Sequence, residues 1–266
     1  MPINLGPLEL LLLGTTFFLT SVVGVVTGAN SLITIPVMLQ FGIDPRVATA
    51  TNMLALTFMS LGGVLPFVGK NQFDQQRLPL LVGLTLFSSA VGAYLVTLVP
   101  VEAMGFLIAF FMLAVATFVV VNRRAGVTPK THVGRGAAVS GYLLTFFLGV
   151  YGGFFSGGYV TMLTTGFVAL FGMTFLQAVA TTKVVNLFSS LVATAVYVWA
   201  GLIDWPLGLL LSVTMFFGAL LGGRLALKLN NEVVRRVFLI VVVALAVKTL
   251  VFDLEWTQLA RLLGTP

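Results

Sequence analysis

Residues 41–61 read FGIDPRVATATNMLALTFMSL, and residues 171–191 read FGMTFLQAVATTKVVNLFSSL. At an offset of 130 residues, Phe41-Gly42 falls on Phe171-Gly172, and Ala48, Ala50 and Thr51 fall on Ala178, Ala180 and Thr181. Farther along the same register, Phe58, Ser60, Leu61, Asp74, Leu80, Phe87 and Gly92 meet Phe188, Ser190, Leu191, Asp204, Leu210, Phe217 and Gly222. Apolar coincidences carry little weight in so apolar a chain. The glycines, the aspartate and the Ala-x-Ala-Thr stretch carry more, and the register needs no gap. The chain reads as an internal duplication.

Working outward, the setting is a membrane. Of 266 residues, 59% are hydrophobic and 8% charged, against roughly 25% charged in a soluble domain. So few charges cannot clothe a soluble surface, which excludes a soluble enzyme. Apolar segments run at 8–27, 31–42, 46–69, 77–99, 103–122, 137–155, 158–172, 175–200, 206–229 and 234–252. Most have the length a helix needs to cross roughly 30 Å of hydrocarbon, and they lack the alternation of a barrel strand. The fold class is an all-α polytopic membrane protein of two inverted repeats, each of about five helical elements.

The only long polar stretch, 123–135, divides the chain. The expected parts are a first repeat at 1–122, a cytoplasmic linker at 123–135, a second repeat at 136–252 and an interfacial tail at 253–266. The linker carries Arg123, Arg124, Lys130 and Arg135 without an acid, so it belongs on the cytoplasmic side, where short loops gather Lys and Arg. The loop with Lys70 and Arg77 lies on the same side. Its equivalent one repeat later keeps only Asp204, whereas the next loop carries Lys228, Arg235 and Arg236. Matching loops of opposite sign invert the second repeat, and both termini come out periplasmic in a bacterial inner membrane. Gly218 and Gly222, matched by Ser88 and Gly92, are small residues at helix-packing spacing.

Each repeat opens with a helix broken at glycine: Gly24 and Gly28, followed by Asn30-Ser31 and Pro36, in the first; Gly153, Gly157 and Gly158 in the second. The short pieces 31–42 and 158–172 either span or re-enter. Interrupted segments at matching places are where secondary transporters hold their substrates. Downstream come Thr51-Asn52 in one half and Thr181-Thr182-Lys183 with Asn186 in the other. Lys183 lies about two turns into its span, where a charge is expensive unless it faces a cavity; Arg224 and Lys248 sit nearer span ends and read as snorkelling. All eight acids fall at loops or span ends, so an unpaired buried ammonium among hydroxyls and amides calls for an anionic ligand. Substrate-binding candidates are therefore Lys183, Asn30, Ser31, Thr51, Asn52, Thr181, Thr182 and Asn186. With no cysteine and one histidine, His132 in the linker, no metal site is expected, and no cofactor. The basic residues lie in short loops, which is not a nucleic-acid signature.

On these residues the chain resembles the sulfite exporter TauE/SafE family, also called the toluene-sulfonate uptake permeases. The resemblance rests on the Gly-rich break, Pro36, Phe41-Gly42 and the Ala-x-Ala-Thr-polar stretch, repeated inverted. The family's denser glycine run is here Thr27-Gly28-Ala29-Asn30-Ser31; its Thr-Ser pairs are Thr51-Asn52 and Thr181-Thr182; and Thr164 stands near where Pro36 would map. The resemblance implies transport of sulfite, sulfoacetate and related sulfonates. The partners expected are a small anionic substrate and the lipid bilayer, with a coupling ion (proton or sodium) and a homodimer left open. A passive anion channel and a membrane-embedded accessory subunit are the alternatives.

Overall fold

The computed structural model describes residues 5–121 and 134–230, with Glu232, Val233, Arg236 and Ile240 beyond them. The linker as far as 133, most of the tenth apolar segment, His132, Lys248 and the 253–266 tail lie outside the described residues. Within them the protein is all helix. The elements are α1 (Pro7–Thr27), α2 (Ser31–Gln40), α3 (Pro45–Val64) with a short 3-10 turn at Leu65–Phe67, α4 (Leu78–Leu98), α5 (Val101–Val121), α6 (Arg135–Phe154), α7 (Tyr159–Phe171), α8 (Phe175–Trp199) and α9 (Trp205–Lys228). Six of these, α1, α3, α4, α6, α8 and α9, are long and apolar enough to cross a membrane, and large side chains such as Phe87, Phe147 and Phe217 stand exposed along them, as a lipid-facing surface requires. With 10 and 13 residues, α2 and α7 reach only about 15 and 20 Å.

Helix starts follow local chemistry, and equivalent starts follow it alike. Asp44 caps α3, accepting from the amides of Arg46 and Val47 at 2.9 and 3.2 Å. Thr174, 130 residues on, caps α8 through Gln177 N at 3.3 Å. Asp74 accepts from Arg77 N at 3.1 Å, and Asp204 from Leu207 N at 3.0 Å. The Asp44, Thr174 and Asp204 oxygens satisfy amides that a helix start leaves without an internal partner, and Asp74 holds the residue just ahead of α4.

The longer contacts repeat too. The amide of Asp204 donates to Thr51 Oγ1 on α3 at 3.1 Å, and the amide of Asp74 donates to Thr181 Oγ1 on α8 at 3.2 Å. The second bond is the first with the halves exchanged. Likewise α1 packs on α9 as α6 packs on α4, and α3 lies along α9 as α8 lies along α4. The glycines sit where these helices nearly touch: a Cβ on Gly222 would fall 2.1 Å from Val22 O, and one on Gly92 would fall 1.9 Å from Val150 O.

Candidate functional site

Both helix breaks lie inside the protein and meet. Helix α1 closes on Gly28, whose φ of 69° is a conformation glycine adopts without steric cost; its amide bonds Gly24 O at 2.8 Å. Helix α6 ends at Phe154, and α7 begins after Gly158, at φ 74°. Gly28, Gly157 and Gly158 thus lie between helices, while Gly24 and Gly153 belong to the last turns of α1 and α6. Gly24 is small for another reason. A Cβ there would fall 1.7 Å from Asn30 Oδ1. Ser31, the first residue of α2, shares a 2.6 Å hydrogen bond with Ser156 of the second break, and Thr161 of α7 donates to Thr27 O at 2.7 Å.

Lys183 reaches into this junction from α8. It is 1% exposed, so it does not snorkel, whereas Arg224 on α9 is exposed. Its Nζ donates to Gly24 O at 3.0 Å. That carbonyl belongs to the C-terminal turn of α1, where the helix dipole is negative and attracts a cation. An ammonium has three N–H donors, so the Gly24 bond leaves capacity for a ligand. The described acids lie elsewhere in the fold: Glu9, Asp44, Asp74, Glu102 and Asp204 are at helix starts, and Glu232 is paired with Arg236 on the surface.

A small cavity opens beside the ammonium, lined by Gly24, Gly28, Asn30, Ser31, Leu56, Met59, Ser156, Val160, Lys183 and Asn186, with room for about one water molecule. Asn186 Nδ2 donates to Ser60 Oγ at 2.6 Å. Asn30 Nδ2 rests on Met59 Sδ at 3.2 Å, and Asn30 Oδ1 is buried without a hydrogen-bond partner. A cation, two amides and two hydroxyls, walled by apolar side chains, can hold a compact anion. Oxygens would take the ammonium and hydroxyl protons, and low surrounding polarity strengthens each contact.

The structure brings together four of the residues expected from sequence: Lys183, Asn30, Ser31 and Asn186. Asn52 stands one layer behind, with Nδ2 donating to Ser31 Oγ at 3.0 Å and Oδ1 accepting from Thr34 at 2.8 Å. Thr51 and Thr181 do not line the cavity; their hydroxyl oxygens take the Asp204 and Asp74 amides. Thr182 bonds Thr164 at 3.1 Å and its own helix at Val179 O. Ser156, Met59, Leu56 and Val160 complete the wall without having been singled out. Ser156 stood in the second Gly-rich break, and its hydroxyl was the available signal.

The sequence profile described as sulfite exporter TauE/SafE matches residues 13–249. The chain belongs to the TauE/SafE family. This TauE/SafE protein is 29% identical over 238 residues to the probable membrane transporter protein ORF9 of a Sinorhizobium species, covering 88% of this chain and 89% of that one. It is 26% identical to a probable membrane transporter protein of Haemophilus influenzae, over 90% of this chain and 93% of that one. It is 25% identical to the probable membrane transporter protein YfcA of Escherichia coli K12, over 96% and 95%. No solved structure matches it. Membership makes this TauE/SafE protein a multi-pass membrane transporter rather than an enzyme.

Proposed function

We propose that the protein is a secondary transporter of a small sulfur-containing anion, an organosulfonate such as sulfoacetate or sulfite itself, working by alternating access across a bacterial inner membrane. The observation that carries this reading is the buried Lys183 ammonium, with no carboxylate beside it among the described residues, in the cavity where the two helix breaks meet. An uncompensated charge at that depth costs several kcal/mol and finds its counter-ion in the substrate. Ser31 and Ser156 donate to the anion's oxygens alongside Lys183, with Asn52 holding Ser31 in place, and Asn30 and Asn186 join them by turning their Nδ2 groups from Met59 and Ser60. A three-oxygen anion is larger than the present cavity, so loading it requires the helices around Lys183 to part, as alternating access demands.

The exchanged pair of bonds, Asp204 to Thr51 and Asp74 to Thr181, supports two repeats related by a two-fold axis in the membrane plane. The loop charges support their inversion, with the loop at 70–77 cytoplasmic and both termini periplasmic. A cysteine near Asp204 should then label from outside and one near Arg77 only from inside; this chain has no cysteine of its own. Labelling of both from one side would remove the inversion.

Reconstituted protein tests the function. Labelled sulfite and sulfoacetate should accumulate against their own gradient when a proton or sodium gradient, or counter-substrate, drives them. Strictly downhill flux would make the protein a passive anion channel, and no flux of either anion would leave an accessory subunit.

A further inference from the structure

We propose that the bodies which move against each other are not the two sequence halves but two interlocked bundles, α1–α2–α3–α9 and α4–α6–α7–α8, parting along the seam where α3 crosses α8. The inference rests on the carrier reading above and specifies its moving parts. Helix α9 comes from the second half, yet it lies along α1 and α3; α4 comes from the first half, yet it lies along α6 and α8. The two sets touch chiefly where α3 crosses α8.

The chemistry inside the bundles differs from that between them. Inside, helices approach backbone to backbone. A Cβ on Gly62 would meet Phe216 O at 2.4 Å, one on Gly218 would meet Phe18 O at 2.5 Å, and one on Gly153 would meet Ser89 O at 2.1 Å. Such close, interdigitated faces leave helices little freedom to slide, because packed interiors have discrete arrangements rather than soft ones. The Asp204–Thr51 and Asp74–Thr181 bonds also fall inside a bundle, each tying a helix of one sequence half to a helix of the other.

Across the seam the ties are mostly side-chain hydrogen bonds, which can exchange partners. Thr57 and Thr194 face each other from α3 and α8 at 3.2 Å, and Asn186 reaches Ser60. Lys183 reaches Gly24, and Ser31 meets Ser156. Gly28, against Val160 and the Thr161 amide, is the close backbone approach at the break itself. The Lys183 cavity lies on this seam, with walls from both bundles. An anion bound there replaces seam bonds and leaves the bundle interiors untouched, which is how binding energy can bias one arrangement over another.

Two disulfides in the cysteine-free chain separate the alternatives. Thr57→Cys with Thr194→Cys bridges the seam. Gly14→Cys with Thr214→Cys bridges α1 to α9, where a Cβ on Gly14 lies 3.7 Å from Thr214 Cγ2. Each reduced form serves as its own control for folding and flux. Oxidation should abolish sulfite transport for the seam pair and leave it unchanged for the α1–α9 pair. Loss of transport on oxidising Gly14→Cys/Thr214→Cys, or retention in oxidised Thr57→Cys/Thr194→Cys, would overturn the proposal. Should reduced protein move no sulfite at all, the substrate reading fails, and spin labels decide the moving bodies without it. Labels at exposed Leu61 and Leu191, across the seam, should give a broad or split distance distribution. Labels at Leu12 and Leu209, within one bundle, should give a single narrow one. The reverse, or equal widths, would contradict the assignment.

Discussion

Helices α3 and α8 occupy equivalent places in the two halves and are built alike where they hold the fold together. Thr51 and Thr181 each accept an amide from an aspartate of the other half, and Asp44 and Thr174 each cap their helix. They differ where they meet the cavity. Position 53 is Met where 183 is Lys, and position 56 is Leu where 186 is Asn. Shared residues make the frame, and the unshared ones give a symmetric frame a single charged pocket. Two like helices can therefore keep one architecture while only one of them carries a buried cation.

The harshest way to test the shared side is to crowd the matched glycines. Gly92→Leu and Gly222→Leu each drive a side chain into a facing carbonyl, and overpacking of this kind costs at the upper end of about 1–3 kcal/mol. Both should lower the melting temperature in detergent sharply, and by similar amounts. A large drop for one alone would show that the halves are not mechanically equivalent.

A milder pair is Thr51→Val and Thr181→Val. Each keeps the shape and removes the acceptor of a half-buried amide, at a cost of about 1 kcal/mol. Thermal melts should fall equally, while substrate affinity in the folded fraction stays at the parent value. A selective loss of affinity in either would return that threonine to the site. On the unshared side, Asn186→Leu copies position 56 and should weaken anion binding by roughly threefold to tenfold, one ordinary hydrogen bond's worth, with little change in melting. Smallest of all, Arg224→Met removes an exposed charge and should leave affinity within error; a measurable loss would place a second cation in the substrate's path.

Much of this comparison was legible in the sequence. The apolar runs specify helices because lipid tolerates little else, and nine of the ten segments correspond to helices within a few residues of the expected ends. Glycine at the breaks and charge within a span pointed to the cavity. The roles of Thr51 and Thr181 were not legible, since their partners lie 153 and 107 residues away. The sequence match between the halves also drew them into the candidate site, although agreement between halves marks the frame. Ser156 was hidden for the opposite reason: it has no equivalent charge or amide, and only the meeting of the two breaks gives its hydroxyl a place on the wall. Interlocking of the halves was equally out of reach, because hydropathy reports which segments cross the bilayer and not which neighbours they choose.

Lys183 is the proposed counter-charge of the transported anion. The most direct test is calorimetric titration of sulfite and sulfoacetate into the parent protein and Lys183→Met, side by side in the same detergent. Methionine keeps the apolar stem and removes the ammonium, and charge-assisted hydrogen bonds contribute about 1.5–3 kcal/mol. Affinity should fall by roughly tenfold to a hundredfold, while the variant melts at or above the parent temperature because a costly buried charge is gone. Parent affinity in a well-folded Lys183→Met protein would contradict the account.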